Sequence, residues 1–415
     1  MAENKTIRLD PGAAALLDTL HKAGHAAYAV GGCVRDSLLG LAPHDWDLCT
    51  SALPQQMLDL FGTGQCIPTG LQHGTVTVKY GGKLYETTTF RTEGSYSDGR
   101  HPDAVAFVPE VREDLARRDF TINAMAYNAE EGLIDPFGGR EDLARGLVRA
   151  VGVPHQRFTE DALRILRLYR FAARFGFAID EATGQAAREL CPHLDCVSVE
   201  RITEELTRLL AAPRPGKWME PEVFRVVLPE LFAPETAPPF EAVGAVLDAL
   251  PAGLDEVPAR LAALLLPLGE AGARRALKHL RCSNALTDEV TTLVREAGLS
   301  PEKEPTARML QAKRLLGRLQ PDTVRRLTAL GAALAPEQAG AFAALGAEAA
   351  RLTEENACCR VGQLAVNGRD LMALGLPPGP GLRRQLEAPL EAVITGQLPN
   401  TRDALLAAAE KERTL

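Results

Sequence analysis

The spacing of apolar residues changes near residue 158, and this change constrains the fold more than any other feature of the sequence. Before it, short stretches alternate apolar and polar residues, which is typical of half-buried strands. After it, apolar residues recur every three or four positions among many Ala, Leu, Arg and Glu residues, a pattern that predicts helix. The sequence therefore predicts a small α+β head followed by an all-helical region.

The head contains recognisable helix, strand and turn signals. A helix is predicted over roughly 12–23, a strand over 26–30 and a second helix over 33–39. The segments HGTVTVKY (73–80) and KLYETTTF (83–90) alternate with period two and are joined by two glycines, which predicts a hairpin. Another strand is expected over 104–109. The stretch 91–103, rich in Gly, Ser, Asp and Pro, predicts a mobile loop.

The chain has 415 residues, which is enough for two to four domains. Breaks rich in proline and glycine, such as APRPG and LPPGPG, interrupt the helical region. We expect a head over 1–145, a helical neck over 146–215, a helical body over 216–300 and a helical tail over 301–415.

Composition excludes several classes of protein. The net charge of −8 argues against a generally basic nucleic-acid coat, although it permits local cationic patches. Eight cysteines without a CxxC pair indicate reduced thiols and a cytoplasmic location. The apolar stretch at 261–268 contains a proline and is too short to span a membrane. We therefore expect no membrane partner, and no protein partner is evident.

The first motif that indicates chemistry is GGCVRD (31–36), followed by DWD (45–47). A strand that ends in Gly-Gly before a helix lets backbone amides approach a phosphate, and Arg35 lies one turn into that helix. In a strand, Asp45 and Asp47 would share a face. Paired carboxylates beside a phosphate cradle are what Mg²⁺-dependent phosphoryl transfer requires, although each element alone is weak.

A two-metal site usually includes a third carboxylate from a neighbouring strand. Glu86, in the second strand of the hairpin, is the candidate. A solvent-facing glutamate that takes no part in catalysis is nearly as good an interpretation of this residue.

Two arginine-rich motifs follow. In RRDFTINAMA (117–126), Arg117 and Arg118 precede a helical pattern and suit a triphosphate, because arginine binds phosphates with bidentate geometry; a surface ion pair is the alternative. In EDALRILRLYRFAAR (160–174), arginines recur every three or four residues and form one stripe on an apolar helix. If they are buried, they need anionic partners.

These motifs resemble those of the bacterial branch of the tRNA nucleotidyltransferase/poly(A) polymerase family, and in particular its CCA-adding members. The segments GGCVRD, DWD, RRDFTINAMAYN, DPFGGRED, EDALRILRLYRFAARF and ERITEEL occur in the family's order and cover roughly residues 28–210. The segment from VGQLAVNGRD to GQLPN resembles the family's C-terminal tRNA-binding region less sharply. The resemblance implies a polymerase-β-like nucleotidyltransferase fold in the head, with a mixed or antiparallel sheet and helices.

The resemblance also implies roles for individual residues. Asp45 and Asp47 match metal-binding aspartates, and Mg²⁺ is the expected cofactor. Positions that hold the nucleotide phosphates correspond to Gly32, Arg35 and Arg118. The pair that reads the incoming base corresponds to Asp161 and Arg164, with Arg167 and Arg170 nearby on the nucleotide.

A carboxylate and a guanidinium suit this base-reading role. Cytosine and adenine each present an amine donor beside a ring-nitrogen acceptor, so that Asp161 can accept one hydrogen bond while Arg164 donates another. Uracil and guanine would leave both groups unpaired, at a cost of about 1–3 kcal/mol per buried group. The resemblance therefore implies template-independent addition of C, C and A to the 3′ end of tRNA from CTP and ATP, with release of pyrophosphate.

Alternatives remain open at this point. Within enzymes, the chain could be a poly(A) polymerase or an enzyme that adds only A or only CC; the presence of the loop at 91–103 favours full CCA addition or A addition. A non-enzymatic RNA-binding protein is disfavoured by the intact Asp45/Asp47 pair. For tRNA, the acceptor and TΨC arms are the expected contacts, and the candidate cations in the tail are Lys303, Arg308, Lys313, Arg314, Arg318, Arg325 and Arg326.

Overall fold

The computed structural model describes residues 7–94, 105–232, 240–374 and 381–414. The chain divides into two compact units, Met1–Pro229 and Glu230–Leu415. The finer division into head, neck, body and tail stays a prediction. None of the helices among the described residues is both long and apolar enough to cross a bilayer.

A mixed seven-stranded sheet forms the centre of the first unit, with strand order β3-β4-β5-β2-β1-β8-β9. β2 and β5 run parallel, and the other neighbours in this sheet are antiparallel. The strands of this unit are β1 (Ala27–Val30), β2 (Leu48–Thr50), β3 (Cys66–Gly70), β4 (Thr75–Tyr80), β5 (Lys83–Thr89), β6 (Arg91–Glu93), β7 (Val105–Phe107), β8 (Ala126–Asn128), β9 (Gly132–Ile134), β10 (Leu147–Val148) and β11 (Ala178–Ile179).

The predicted hairpin is confirmed. β4 and β5 pair with Tyr80 opposite Lys83, so Gly81 and Gly82 form a two-residue loop. Both glycines have positive φ, 56° and 80°, which is the backbone that such tight hairpin turns require.

The segment after the hairpin differs from its prediction. Residues 91–93 form β6 instead of the start of a loop, and β6 pairs with β7 in a separate two-stranded ribbon. The expected strand at 104–109 is thus present as β7 but lies outside the main sheet. Residues 95–103 of the predicted loop, and residue 104 at the start of the predicted strand, lie outside the described residues.

Helices cover the sheet and continue beyond it. One core cluster joins strand residues such as Tyr28, Cys49 and Ala126 to Leu115. The helices of the first unit are α1 (Pro11–Lys22), α2 (Gly32–Leu38), α3 (Pro54–Phe61), α4 (Val111–Ala116), α5 (Gly139–Arg145), α6 (Pro154–Glu160), α7 (Leu163–Phe175), α8 (Glu181–Leu190), α9 (Val199–Leu210) and α10 (Pro221–Val227).

In the part of the chain after residue 158 that the structure describes, the regular secondary structure is helical, as predicted, apart from one short strand. β11 pairs in parallel with β10, so a short strand follows α7. The pattern of residues 160–174 also predicts one continuous helix, whereas Asp161 is extended (φ −146°, ψ 102°) and separates α6 from α7.

The second unit contains only helices among its described residues, and its C-terminal part has a small core of its own around Leu371, Leu386 and Leu405. Its α-helices are α11 (Phe240–Ala249), α12 (Val257–Leu265), α13 (Gly269–His279), α14 (Asn284–Glu296), α15 (Pro305–Arg318), α16 (Pro321–Leu334), α17 (Ala339–Glu354), α18 (Gly368–Ala373), α19 (Gly381–Ile394) and α20 (Arg402–Thr414).

Asp10 ties the first helix to the hairpin. Its carboxylate accepts hydrogen bonds from the amides of Gly12 and Ala13 at the start of α1, and from Lys83 and Tyr85 of β5. Burial alone would raise the pKa of this carboxyl, but these donors lower it to about 2. The ionised form is therefore the one that the folded state prefers.

Replacing this cap should destabilise the unit in a pH-dependent way. We expect Asp10→Ala to lower the free energy of unfolding by about 2 kcal/mol at pH 7. Because the folded-state pKa lies below the unfolded value of 3.8, this contribution is present above that value and is lost as the pH falls toward 2. Urea denaturation of the wild type and of Asp10→Ala, at several pH values between 7 and 3, measures this difference in the free energy of unfolding.

The exposed pair of Asp18 and Lys22 on the same helix supplies the control. Asp18→Ala should change the unfolding free energy by less than about 0.5 kcal/mol. A difference between Asp10→Ala and wild type that stays constant down to pH 3 would contradict the role assigned to the charge.

Candidate active site

The turn between β1 and α2 lets the guanidinium of Arg118 lie close to the backbone of Gly31. Gly31 has a φ of 76°, a region that favours glycine. A Cβ added there would lie 2.8 Å from Nη1 of Arg118, so a side chain at this position would also displace that guanidinium. Gly32, the candidate from the sequence, opens α2 directly after this turn.

The two predicted aspartates lie on one side of the chain, but not within a strand. β2 begins at Leu48, one residue after Asp47, and the sequence-based placement of the pair inside a strand is therefore wrong. The segment is nevertheless extended: Val30 donates its amide to the carbonyl of Asp47, while Asp45 and Asp47 are exposed and Trp46 and Leu48 are buried. This alternation gives the shared face that the motif predicts.

Glu86 lies beside this pair. In the parallel pairing of β2 with β5, Leu48 is opposite Thr87, so the preceding residues Asp47 and Glu86 are neighbours on one face. Glu86 is exposed. The structure thus brings the third predicted carboxylate next to the aspartates.

Electrostatics links these acidic groups to Arg118. The pKa of Asp47 is raised, first because the surrounding protein desolvates its carboxyl and second because Glu86 is near. Arg118 opposes this shift, and Asp45 adds to it. No described residue makes a hydrogen bond or an ion pair with any of the three carboxylates, whose mutual repulsion a cation would relieve.

The donor set fits a hard divalent cation that is shared with a substrate. Within residues 7–94, 105–232, 240–374 and 381–414, no three His, Cys, Asp or Glu side chains are grouped closely enough to hold a metal by themselves. Mg²⁺ is usually bound by one or two carboxylates, together with water and substrate phosphates. Asp45 and Asp47 supply that number of carboxylates.

Arg118 and its neighbour are held by Asp114, a residue that the sequence analysis did not single out. The Asp114 carboxylate is completely buried and accepts hydrogen bonds from Arg117 at 2.8 and 3.0 Å and from Arg118 at 3.3 Å. Burial would raise its pKa, but the two arginines lower it. The amide of Arg91, at the start of β6, also donates to Asp114.

Arg35 does not present a free guanidinium to a phosphate in this structure. It is 4% exposed, donates to Asp36 at 2.8 Å and to Asn123, and lies 5.2 Å from the ring centre of Phe171 in α7. The expectation that Arg35 reaches the phosphates directly is therefore not met in this conformation, because the buried guanidinium already has protein partners.

The arginines of α7 are also paired inside the protein. Arg167 donates to Asp119 at 2.6 and 2.9 Å and lies 3.5 Å from Glu205, while Arg170 lies 2.5 Å from Glu205. Burial would raise the pKa of Asp119, but Arg167 and Asn123 lower it. The anionic partners that the sequence requires are thus protein carboxylates.

Asp161 and Arg164 occupy the break between α6 and α7. Asp161 accepts from Arg201 at 2.8 Å and from the amide of Leu163 at 3.1 Å. Arg164 donates to Glu160 and to the carbonyls of residues 157 and 117. A guanidinium has five N–H donors, so these three bonds leave two available, and each Asp161 oxygen keeps a free lone pair.

The predicted cationic cluster of the tail is largely neutralised. Arg314, Arg318, Arg325 and Arg326 each form an ion pair with a glutamate, and Lys313 donates to the carbonyl of Ile394. The cluster therefore offers fewer free cations than its sequence indicates.

Three family models match separate parts of the chain. One described as the poly A polymerase head domain matches residues 27–149, and one described as the probable RNA and SrmB-binding site of polymerase A matches residues 176–233. A putative tRNA nucleotidyltransferase domain 2 matches residues 254–409.

Whole-chain relatives decide the family. The CCA-adding enzyme of Lactiplantibacillus plantarum is 38% identical over 403 residues, which cover 94% of this chain and 93% of the relative. That of Geobacillus stearothermophilus is 36% identical over 408 residues, 96% of both. The chain belongs to the CCA-adding enzyme family.

Solved structures agree with this membership in the CCA-adding enzyme family. The Bacillus stearothermophilus CCA-adding enzyme in complex with CTP matches with a TM-score of 0.78 and 33% identity, over 98% of this chain and 99% of that one. The Thermotoga maritima enzyme, at 23% identity and a TM-score of 0.68, shares the fold. The head is thus a polymerase-β-like nucleotidyltransferase domain, and the chain is an enzyme of tRNA processing that uses a divalent metal ion.

The position of Asp114 leads to a kinetic prediction. Asp114→Asn keeps the size of the side chain but removes the charge that holds Arg118 beside Gly31. We expect the KM for CTP to rise about tenfold with a smaller change in kcat, because charge-assisted hydrogen bonds contribute about 1.5–3 kcal/mol. Steady-state incorporation into a tRNA substrate measures both constants.

Glu113→Gln, at an exposed position of the same helix, is the matched control and should behave like wild type. The thermal midpoint of each variant separates misfolding from misplacement of Arg118. If the folded Asp114→Asn protein had an unchanged KM for CTP, Asp114 would have no role in positioning Arg118 for the phosphates.

Proposed function

We propose that this chain adds C, C and A in turn to the 3′ end of tRNA, from CTP and ATP with Mg²⁺, and that the groups around Asp45 and Asp47 perform the transfer. The observation that carries this proposal is the group of carboxylates without partners among the described residues, beside the Gly31 turn and Arg118, in a member of the CCA-adding family. The CTP bound to the Bacillus stearothermophilus relative supports the choice of one substrate.

Asp45 and Asp47 would hold the metal. When bound, Mg²⁺ lowers the pKa of a coordinated hydroxyl and neutralises phosphate charge. Glu86 adds negative charge beside Asp47, and this charge favours cation binding at that carboxylate. It is proposed as a supporting group and not as a ligand, since the two aspartates and substrate phosphates provide the usual coordination.

The phosphates of the nucleotide are assigned to the Gly31–Gly32 turn and Arg118. Backbone amides at the start of a helix favour anions, and Arg118 adds a positive charge that stabilises the departing pyrophosphate. Because its guanidinium is buried, Arg35 is proposed to position this turn through its hydrogen bonds to Asp36 and Asn123.

Asp161 and Arg164 are proposed to read the base. The bonds to Arg201 and Glu160 fix the two side chains, and the remaining lone pair and N–H groups match the amine and ring nitrogen of cytosine or adenine. Arg167 and Arg170 are proposed to maintain this arrangement through their carboxylate partners. We assign contacts with the tRNA to residues 176–233, which match the RNA-binding model, and to the tail.

A poly(A) polymerase is the second candidate, because the head matches the poly A polymerase model. Incubation of the protein with CTP, ATP and a tRNA that lacks its last three nucleotides, followed by sequencing of the 3′ ends, separates the candidates. CCA ends support the proposal, whereas A tracts would replace it with polyadenylation.

The metal role predicts a severe loss of activity. We expect Asp45→Ala and Asp47→Ala each to reduce nucleotide incorporation by about a thousandfold or more, with the fold retained because both residues are exposed. Asp59→Ala, which removes an exposed carboxylate on α3, is the control for general loss of negative charge. Wild-type rates in the double aspartate variant would refute the assignment.

The base-reading role predicts a change in selectivity. In Asp161→Ala, kcat/KM for CTP should fall while that for UTP changes less, so that the CTP preference shrinks about tenfold. Single-turnover incorporation with each nucleotide measures the ratio. Glu204→Gln, at an exposed carboxylate of α9, is the control, and an Asp161→Ala enzyme that is slower but equally selective would contradict the proposal.

A further inference from the structure

The hairpin of β4 and β5 has one covered face and one open face. Tyr85 of β5 is buried, whereas its neighbours Leu84 and Glu86 are exposed. Tyr85 donates to Asp10 at the start of α1, so this helix lies on the covered side. Since side chains alternate between the two faces of a strand, Leu84 and Glu86 share the open face.

Strand register places the open face next to the candidate metal site. Glu86 is the neighbour of Asp47 across the parallel pairing of β2 with β5. On β4, Thr77 lies opposite Glu86, and Lys79 lies opposite Leu84. Neighbouring strands are about 5 Å apart, so the backbone of β4 lies about 10 Å from the segment that carries the aspartates. The open face therefore continues the surface on which the carboxylates lie.

Lys79 and Leu84 give this face a positive charge and an apolar surface. Lys79 is exposed, and its ammonium group forms no hydrogen bond or ion pair with any residue that the structure describes. Glu86 is only its diagonal neighbour, and such pairs have their Cβ atoms about 7–8 Å apart. Leu84 is 61% exposed, so its side chain is available for contact with a ligand.

The geometry of phosphoryl transfer decides from which side the attacking hydroxyl arrives. The attacking and leaving oxygens are roughly in line, so the hydroxyl lies opposite the departing pyrophosphate. The turn at Gly31, which with Arg118 is assigned to the phosphates, follows β1, and β1 borders β2 on one side. β5 borders β2 on the other side. The 3′-hydroxyl must therefore approach the aspartates from the side of β5.

An RNA strand has the chemistry that complements this face. Its phosphates bind lysine, which acts as a point charge, and its sugars and bases have apolar surfaces that pack against an exposed leucine. Such contacts do not depend on the sequence of the strand. They therefore suit a surface that receives a different terminal nucleotide after each round of addition.

We propose that the open face of β4 and β5 holds the 3′ end of the tRNA substrate, with the terminal nucleotide against Leu84 and a phosphate of the same strand at Lys79. The inference rests on the proposed function and deepens it, because it assigns the accepting strand to named residues. Both side chains contact the substrate in this arrangement, and neither belongs to the metal site.

Two variants test this face by binding and kinetics. Lys79→Gln should weaken the affinity for tRNA that lacks CCA by about three- to tenfold and reduce the slope of log Kd against log salt by about 0.7–1. Leu84→Ser should weaken this affinity about fivefold, because apolar contact area is lost. The KM for CTP should not change in either variant, since the nucleotide phosphates are assigned to the other side of Asp47.

Lys22→Gln is the matched control, since Lys22 is an exposed lysine of α1, the helix on the covered side of the hairpin. Its tRNA affinity should stay within about twofold of wild type. Equal losses in Lys22→Gln and Lys79→Gln would reduce the effect to general charge and overturn the site. A raised KM for CTP with unchanged tRNA affinity would overturn it too, as would unchanged affinity and salt slope in both hairpin variants.

Photocrosslinking gives a direct readout of position. When wild-type protein is irradiated with a tRNA that lacks CCA and ends in 4-thiouridine, we expect a crosslink to the tryptic peptide LYETTTFR (84–91). Crosslinks confined to peptides outside β4 and β5 would overturn the placement.

Sequencing of wild-type 3′ ends is read separately. Without CCA addition the proposed function fails, whereas CCA addition together with unchanged affinities of the hairpin variants overturns only the inference about this face.

Discussion

The ion pair between buried Asp119 and half-buried Arg167 joins the two parts of the proposed active site. Asp119 lies in the motif that follows Arg118, and Arg167 lies on α7. Asn123 donates to the same carboxylate and accepts from Arg35. The turn at Gly31, the arginine motif and α7 therefore share one hydrogen-bonded network.

Such a network contributes more to geometry than to stability. Burying two charges costs much of what their attraction returns, whereas removal of one partner costs about 3–5 kcal/mol. Glu205 gives a second example of this arrangement, because its carboxylate lies against both Arg167 and Arg170. In contrast, Asp45, Asp47 and Glu86 have no hydrogen-bond or ion-pair partner among the described residues, so the first unit combines ion-paired arginines in its interior with unpaired carboxylates at its surface. That separation leaves the acidic surface free to bind cations.

Local patterns in the sequence were sufficient for much of this fold. The alternation of the hairpin and its two glycines predicted β4, β5 and their register, and the spacing of DWD predicted a shared face that the extended segment before β2 provides. Helical spacing likewise predicted the region after residue 158, but not the break at Asp161, where a side chain that caps Leu163 outweighs the apolar pattern.

The identity of the residues that pair with each arginine could not be predicted from local patterns. Asp119 and Arg167 are 48 residues apart, and Arg35 and Asn123 are 88 apart; no periodicity relates such positions. The sequence showed that buried arginines need anions, but an external phosphate and an internal carboxylate satisfy that need equally well. Asp114 was missed for a related reason, since it resembles any acidic residue near a helix N-terminus until its burial is known.

The turn at Gly31 has a consequence for how the gene can vary. A left-handed backbone disfavours every side chain at this position by roughly 1–2 kcal/mol, and the Arg118 guanidinium occupies the space that a Cβ would need. A smaller side chain at residue 118 would make room for the Cβ, but it would not change the backbone conformation at residue 31. Single substitutions at residue 31 and paired substitutions at residues 31 and 118 are therefore both disfavoured, so we expect this position to accept only glycine.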